Sequence, residues 1–333
     1  MLFAVNHDVM NGTETVLNLL DALIARIEDG IHELEIAQAD VLESSSWYKS
    51  CRRDRRNMLE KTAEASLHRA PRTRGPHLRR IEVEDENTAK SARSAANTPL
   101  HVLVENFGSD GALVKFALKA FATRAAWELC YGAGAYCTPP AFQIESPGGH
   151  GELPKLIDAR VKEAAERGIE PRIVVITDCD GEWVGQVKEH AQGIRDKCAA
   201  AAIPCPPLNK RTVENYIPDA TWRAWADEPR HTSARPAVVA LLRLSYEQRD
   251  HVNIGPGNTP PWDPTKTEAA ALFVNVSTQD RDLLRMANLK GRGSAGIASI
   301  LETHKSVLTG AAFEARDRQG DLKTVVRSIE DGL

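Results

Sequence analysis

The sequence lacks several features that would assign it to a class at once. It has no apolar run of membrane-spanning length, and its first ten residues lack the basic segment and apolar stretch of a secretory signal. Its six cysteines are scattered without a Cys-x-x-Cys pair, so we expect no zinc site and reduced thiols in the cytoplasm. A formal net charge of −4 excludes a chain that is basic throughout, so nucleic-acid contacts would have to come from local patches.

The first 95 residues are predicted to form a helical, basic region for assembly or substrate contact. Apolar residues at helical spacing predict one helix over 11–36 and a second helical stretch over 38–67. The segment 51–80 holds ten arginines and lysines against three acidic residues, although such a run is most often a solvated helix face. The acidic and small polar stretch over 81–99 is typical of a linker or domain boundary. The candidate nucleic-acid contacts in this region are Arg52, Arg53, Arg55 and Arg56.

Strands alternate with helices over 96–225, which indicates an α/β core with a small parallel sheet. Short apolar strands are predicted at 101–104, 141–145 and 173–176, separated by helices. Residues 226–333 are predicted to be mostly helical and to pack on this core as a C-terminal extension. The predicted fold class is therefore α/β, a Rossmann-like parallel sheet flanked by helices with helical additions at both ends.

An acidic pair follows the most apolar of these strands. Ile173–Ile176 is typical of a strand buried on both faces, and Asp178 and Asp180 come soon after it. Side chains two residues apart on a strand leave on the same face, so the two carboxylates are expected to converge at the carboxyl edge of the sheet. Carboxylates held together repel unless they share a proton or a cation, and their hard oxygens suit Mg²⁺. The plainer alternative is that the pair only caps a helix or orders a turn.

Two further segments with charged residues lie on either side of this pair in the sequence, one before it and one after it. Glu105 ends the first predicted strand in the sequence VENFGSDG, with Asp110 five residues on. Lys210 opens the sequence KRTVENY. At this point the chain resembles a TOPRIM domain, most closely that of the OLD (overcoming lysogenization defect) type nucleases. That family has a glutamate after its first strand, a DxD after a later strand and an ENY segment further on. Its next aspartate usually stands four positions after the glutamate, one fewer than here.

The resemblance implies a nuclease that hydrolyses phosphodiester bonds, in DNA rather than RNA, with one or two Mg²⁺ or Mn²⁺ ions. Carboxylates would hold the metal, and basic side chains would face the scissile phosphate. The residues predicted to bind metal are Glu105, Asp178 and Asp180, with Asp110 and Glu214 as further ligands. The residues predicted to contact the phosphates are Lys210, as a catalytic cation, its rival Arg211, and Lys290 and Arg292.

A phosphate-binding loop of the form Gly-x-x-x-x-Gly-Lys-Ser/Thr does not occur in the chain. OLD-type nucleases commonly carry an ATPase domain ahead of the TOPRIM part, so ATP control would here have to come from a separate chain. The resemblance thus implies a cytoplasmic phage-defence nuclease with an ATPase partner, on analogy alone. Homo-oligomerisation is left open.

Two other interpretations remain open at this point. The run 173–181 also fits the first motif of haloacid-dehalogenase-type phosphatases, in which the first aspartate is a nucleophile and Mg²⁺ is again required. That fold needs a later strand ending in an acidic pair, and neither Asp280/Asp282 nor Asp317/Asp321 follows an apolar strand. The third interpretation is an inactive TOPRIM domain that only scaffolds a partner. The acidic residues and the lysine of the motif are all retained, which counts against this interpretation.

Overall fold

A computed structural model describes residues 1–36, 38–68, 79–148, 151–254, 265, 267–286, 289 and 295–333. Its strands are β1 (Leu2–Val5), β2 (Glu33–Ile36), β3 (Arg80–Val83), β4 (Leu100–Val104), β5 (Phe142–Glu145) and β6 (Ile173–Ile176). Its α-helices are α1 (His7–Met10), α2 (Glu14–Glu28), α3 (Ser46–Ser50), α4 (Arg53–His68), α5 (Glu86–Ala96), α6 (Ser109–Phe121), α7 (Arg124–Tyr131), α8 (Leu153–Glu166), α9 (Glu189–Ala200), α10 (Asp219–Ala226), α11 (Arg235–Arg243), α12 (Tyr246–His251), α13 (Thr267–Leu272), α14 (Thr278–Met286), α15 (Ala295–Thr303), α16 (Gly310–Arg316) and α17 (Asp321–Gly332). Short 3₁₀ helices cover Ala39–Ser44, Ala133–Tyr136, Val213–Tyr216 and Pro229–Ala234.

The N-terminal region is an α/β unit of its own. β1 lies between β2 and β3 in a parallel three-stranded sheet, in which Phe3 stands opposite Leu34 and Ile81. α2 and α5 pack together, and α2 buries Leu20 and Leu23 in the same apolar cluster as Phe3. The prediction of a helical region over 1–95 is therefore wrong, because the described part of that region contains a sheet.

Local features of the sequence concealed this sheet. Each strand has four residues, too few for a period-two pattern to stand out, and β3 alternates charged with apolar residues. Gly30 takes a positive φ of 74° just after α2, so the helix predicted over 11–36 gives way to β2. The stretch predicted as a linker over 81–99 holds β3 and α5, and Asp85 and Thr88 form a capping box at the start of α5.

The second sheet carries helices on both faces. Its parallel order is β5-β4-β6, so β4 is the central strand. Successive residues point to opposite faces: Val102 and Val174 lie in one apolar cluster, and Leu103 and Val175 in another. Burial on both faces explains why β6 is apolar throughout. The protein is thus an α/β protein with two small parallel sheets flanked by helices, which confirms the predicted class.

The C-terminal helices extend the larger apolar cluster, which runs from β4 to α17. α17 contacts β4, β6 and α6, while α15 and α16 contact α6. Phe313 on α16 and Ile329 on α17 are fully buried. None of the helices that the structure describes is long and apolar enough to cross a bilayer.

Two buried arginines hold the parts of the chain together. Arg26 on α2 donates to the carbonyl oxygens of Ala96 at 3.3 Å and Pro139 at 2.8 Å, which joins the N-terminal unit to the segment before β5. Arg172, just before β6, donates to the carbonyl oxygens of Thr98 and Gly332. Burial lowers the pKa of Arg172 to about 10, so its guanidinium still carries its charge at neutral pH.

Candidate active site

The loops that follow β4, β5 and β6 meet at one edge of the second sheet. Parallel strands present their carboxyl ends together, and open α/β sheets bind ligands there. The Ser146 hydroxyl, after β5, donates to the backbone oxygen of Glu105 at 2.8 Å. The Thr177 hydroxyl, after β6, donates to Oε1 of Glu105 at 2.5 Å. Glu105, which directly follows β4, is therefore held by both neighbouring loops.

Asp178 and Asp180 lie on the loop after β6 rather than on the strand. β6 ends at Ile176, and Asp180 adopts a positive φ of 52°. The same-face geometry of a strand does not apply to this pair, so that expectation is wrong. The backbone N–H of Asp180 donates to the carbonyl oxygen of Arg211 at 2.9 Å. This bond fixes the loop to the segment that carries KRTVENY.

The carboxyl group of Asp178 is strongly perturbed by its surroundings. Its pKa is raised well above the usual value, first by burial and then by repulsion from Asp110, Glu214 and Glu105. Asp180 adds a smaller repulsion. The Oδ1 atom of Asp178 is buried and has no hydrogen-bond partner among the described residues. Because a buried anion without a partner is costly, these surroundings favour the protonated form of Asp178 or its neutralisation by a cation.

Asp110 opens α6 and is buried beside the same groups. Its carboxylate accepts hydrogen bonds from the Ser109 hydroxyl at 2.6 Å and the Asn106 N–H at 2.9 Å, which favour the charged form. Burial outweighs both bonds and, with repulsion from Glu105 and Glu214, raises the pKa of Asp110 to about 6. A second carboxyl group of the site is therefore partly protonated near neutral pH.

Glu214 reaches the same place from the 3₁₀ helix Val213–Tyr216, on which it is buried. Asn215 fixes this turn: its Oδ1 accepts from the Thr212 N–H at 3.0 Å, and its Nδ2 donates to the carbonyl oxygen of Arg249 at 2.7 Å. The structure thus brings together four of the predicted carboxylates, which we term the acidic cluster. Its members are Glu105, Asp110, Asp178 and Glu214.

The acidic cluster has the donor chemistry for a hard divalent cation without a finished coordination sphere. In the described part of the chain, no group of three or more His, Cys, Asp or Glu side chains is placed to hold a metal ion. The buried Oδ1 of Asp178 and the repulsion among the carboxylates are what a cation would relieve. The oxygen donors therefore suit Mg²⁺ or Mn²⁺ chemically, and binding requires the carboxylates to turn toward a common point.

The side chain of Lys210 pairs with a carboxylate outside the acidic cluster. Its side chain is 3% exposed, and its Nζ donates to Oδ1 of Asp250 at 2.7 Å. The same oxygen accepts from Arg316 at 2.5 Å. Burial and the charge of Arg316 lower the pKa of Lys210, which Asp250 partly offsets. A lysine enclosed in a buried ion network has no ammonium to offer a phosphate, so its position contradicts the predicted role at the scissile phosphate.

Arg211 is the cation beside the loop after β6. It is half-buried, and its Nη1 donates to the carbonyl oxygen of His251 at 3.4 Å. Burial lowers the pKa of Arg211, whereas the negative charges of Glu182 and Asp180 raise it. Its charge is therefore felt by the loop that carries Asp180. Between the two predicted phosphate-binding cations, Arg211 has the better position.

Several residues that organise the site were missed by sequence reasoning. Thr177, which orients Glu105, stands next to the acidic pair, and a hydroxyl between strand and DxD was a usable signal. Asp250, the partner of Lys210, and Asp321 carry no local signal, because each lies on a helix distant in the sequence. The buried Tyr216 hydroxyl donates to Oδ2 of Asp321 at 2.5 Å, so α17 helps to hold the ENY turn.

Two of the four N-terminal arginines serve the N-terminal unit itself. Arg55 pairs with Asp21 at 3.2 Å and with Glu28 at 3.5 Å. Arg56 donates to the backbone oxygen of Tyr48 at 3.0 Å. Their side chains are committed within the fold, which argues against the nucleic-acid contact predicted for both.

The remaining predicted contacts stay predictions. Arg52 and Arg53 are exposed at the start of α4. Lys290 and Arg292 lie outside the described residues.

The fold by itself assigns no function to this site, because small parallel α/β sheets serve many chemistries. A function for this site therefore has to be inferred from the chemistry of its own side chains. The chain matches no protein-family model, and neither a characterised protein nor a solved structure is significantly similar to it.

Proposed function

We propose that this protein is a metal-dependent nuclease that hydrolyses phosphodiester bonds in nucleic acid, with DNA favoured over RNA. The observation that carries the proposal is Asp178, whose buried Oδ1 lacks a hydrogen-bond partner among the described residues while three further carboxylates of the acidic cluster repel it. Such a group needs a proton or a cation. A divalent cation at the carboxyl edge of a sheet is a common requirement of phosphodiester hydrolysis.

The proposed identity of the catalytic sheet is a TOPRIM-like fold. Support comes from the order of its acidic residues: β4 leads to Glu105, β6 leads to Asp178, and the ENY turn brings Glu214. β4 and β6 are neighbours in the sheet, so the glutamate and the DxD follow adjacent strands. The resemblance to OLD-type nucleases further proposes a separate ATPase partner and a role in phage defence.

Glu105, Asp110 and Asp178 are the proposed metal-holding residues, with Glu214 and Asp180 as further oxygen donors. When bound there, Mg²⁺ or Mn²⁺ supplies charge neutralisation for the phosphate and a more acidic water. The remaining work falls to the chain's own groups, which orient the carboxylates, hold the metal and face the phosphate.

Three side chains take these supporting roles. The Thr177 hydroxyl holds the Glu105 carboxylate in one orientation by its hydrogen bond. Arg211 places positive charge beside the loop of Asp180, where it stabilises negative charge that builds on a phosphate. Asp110, with a pKa of about 6 in the metal-free protein, loses its proton near neutral pH, which frees its carboxylate to hold the metal.

The test is cleavage of plasmid DNA and of a labelled oligonucleotide in Mg²⁺ or Mn²⁺. Asp178→Asn and Glu105→Gln each lower the rate by about 100-fold or more, because each removes a charge that the metal requires. Glu166→Gln is the matched control, since Glu166 lies exposed on α8. Wild-type protein that cleaves neither DNA nor RNA with any divalent metal would sink the proposal.

The other two interpretations give different results in the same assays. A phosphatase releases phosphate from small phosphoesters and keeps that activity in Glu105→Gln, because Asp178 alone would be its nucleophile. A scaffold shows no turnover on either substrate class but co-purifies with another chain in fixed stoichiometry.

A further inference from the structure

An exposed aromatic side chain lies in the loop between Glu105 and Asp110. Among the described residues, five large apolar side chains are exposed, and two of them follow neighbouring strands: Phe107 after β4 and Val184 after β6. Phe107 is two residues from Glu105 and three from Asp110, and its side chain is 64% exposed. Single exposed apolar residues are common on protein surfaces. Phe107 therefore places an exposed ring within the segment that supplies two members of the acidic cluster, and Val184 lies in the segment after the neighbouring strand.

The backbone that carries Phe107 is fixed by hydrogen bonds. Oδ1 of Asn106 accepts from the N–H groups of Gly108 at 2.8 Å and Ser109 at 3.3 Å, and Asp110 accepts from the Asn106 N–H. These bonds bracket Phe107 on both sides. The ring lies along the first turn of α6, where a Cβ on Gly111 would stand 3.9 Å from Cδ2 of Phe107. An ordered loop therefore presents the ring to solvent in one place, at little entropic cost to a ligand.

Cations stand at the same edge. Arg211 lies beside the loop after β6, as described above. Lys188 on the same loop donates its backbone N–H to the carbonyl oxygen of Cys179 at 3.0 Å, and its ammonium pairs with Glu182 at 3.1 Å while remaining well exposed. An exposed ring on the loop after β4, together with cations at the loop after β6, matches a ligand with flat apolar faces and negative charges. Nucleotides have both, and their bases are available for stacking only when unpaired.

We infer that Phe107 stacks on an unpaired base of the nucleic-acid substrate, so that the site accepts single-stranded nucleic acid in preference to an intact duplex. The inference rests on the proposed nuclease function and adds the substrate class to it. Phe107 touches the substrate in this arrangement and sets which strand form is bound. The acidic cluster next to it then receives the phosphate that follows the stacked base.

The experiment compares two aromatic positions in binding and in cleavage. Phe107→Ala removes the ring, Phe107→Trp keeps a stacking surface, and Tyr136→Ala removes an aromatic side chain that is 87% exposed and lies ahead of β5. The probes are a fluorescein-labelled single strand, the same strand with an abasic site, and the same strand in a blunt duplex. Binding is measured by anisotropy in Ca²⁺, which takes the same oxygen ligands as Mg²⁺, and cleavage is measured in Mn²⁺.

Wild-type protein is expected to bind the single strand more tightly than the duplex. Phe107→Ala weakens single-strand binding by about 5-fold or more, Phe107→Trp restores it, and Tyr136→Ala leaves it unchanged. Equal affinities of Phe107→Ala and Tyr136→Ala for the single strand overturn the inference, and so does a wild-type protein that binds the duplex more tightly. In either case, cleavage by the wild type still supports the proposed nuclease function. Binding that depends on Phe107 without any cleavage supports the stacking role and overturns the nuclease. A wild-type protein that neither binds nor cleaves any of the probes overturns both.

Discussion

At the scale of single residues, Asp110 and Asp178 show that burial governs the charge of a carboxyl group more than its hydrogen bonds do. Asp110 accepts two hydrogen bonds that favour its charged form, and its pKa is nevertheless raised to about 6. Asp178 has a buried oxygen without a partner among the described residues, and its pKa is raised further from its ordinary range. Both groups therefore bind protons more tightly in the folded than in the unfolded chain.

This binding sets the sign of the pH dependence of stability in the absence of metal. For a carboxyl group whose pKa is raised by folding, the stabilising effect of its proton is present below the unfolded pKa and is lost as the pH rises through the folded pKa. The free energy of unfolding should therefore fall as the pH rises from about 4 to about 6, by roughly 2–3 kcal/mol for Asp110. The loss that Asp178 contributes continues to higher pH.

Asp178→Asn is expected to reduce the fall in the free energy of unfolding that occurs as the pH rises. In EDTA at about pH 8 the variant should melt at a higher temperature than the wild type, and the difference should shrink toward about pH 4. Added Mg²⁺ should raise the melting temperature of the wild type and not that of Asp178→Asn, because a ligand stabilises only the state that binds it. Differential scanning fluorimetry measures both effects, with Glu166→Gln as the control. Identical melting curves for the wild type and Asp178→Asn at all pH values would show that repulsion among the carboxylates does not destabilise the folded protein.

At the scale of elements, the second sheet was predictable and the first was not. β4, β5 and β6 lie within one residue of the predicted bounds at each of their ends, because apolar runs bounded by turn residues mark buried strands. The segment 109–131 forms two helices, α6 and α7, because the Thr123 side chain caps the start of α7. The four-residue strands of the N-terminal sheet have no such signal, and their pairing depends on residues about thirty and eighty positions apart.

Within the site, the sequence marked the carboxylates but not the partners of the cations. Glu105 and Asp178 were visible because they closely follow apolar strands, and the carboxyl ends of parallel strands meet at one edge whatever the tertiary detail. Lys210 and Arg211 are adjacent in the sequence and point to different partners. Which of them is enclosed depends on Asp250, forty residues downstream of Lys210, and no local pattern carries that information.

The two cations therefore respond differently to removal of their charge. Lys210→Met leaves Asp250 with Arg316 alone, so we expect a loss of roughly 2–4 kcal/mol in the free energy of unfolding. Its cleavage rate per folded molecule should stay close to that of the wild type. Arg211→Met should lower that rate by about 100-fold with a smaller effect on stability.

Urea denaturation and initial cleavage rates, measured on the same preparations, separate these effects. A Lys210→Met variant that unfolds at the same urea concentration as the wild type but no longer cleaves would show that Lys210, and not Arg211, is the cation that acts on the phosphate. Arg93→Met, at an exposed arginine on α5, controls for the general loss of a positive charge.

At the scale of the whole molecule, two parallel sheets are connected by charged side chains in buried positions. Arg26 is the clearest of these contacts, since its guanidinium joins α2 to Ala96, to Pro139 and, at 3.1 Å, to Asp29. Three charge-assisted hydrogen bonds of one buried group are worth more than an exposed ion pair. The bond to Pro139 crosses to the segment before β5 and opposes independent motion of the N-terminal unit.

Arg26→Met should loosen this connection. We expect a loss of about 2–3 kcal/mol in the free energy of unfolding, because carbonyl oxygens at the junction lose a charged donor. Hydrogen exchange followed by mass spectrometry should show faster exchange in α2, α5 and the segment before β5, with β6 and α9 unchanged. Arg93→Met again serves as the control, and uniform acceleration across both sheets would contradict a local role for Arg26.

The hydrogen bond between Thr177 and Glu105 has a consequence for the time at which activity appears. The two residues are 72 positions apart in the chain, and Glu214 joins them from farther along. Contacts over such separations form late in folding, after local helices and turns. A chain still emerging from the ribosome, or one partly unfolded, would hold each carboxylate alone in water, where it has little affinity for a metal. The proposed nuclease activity would thus require the completed tertiary structure, and unfinished copies of the protein would lack it.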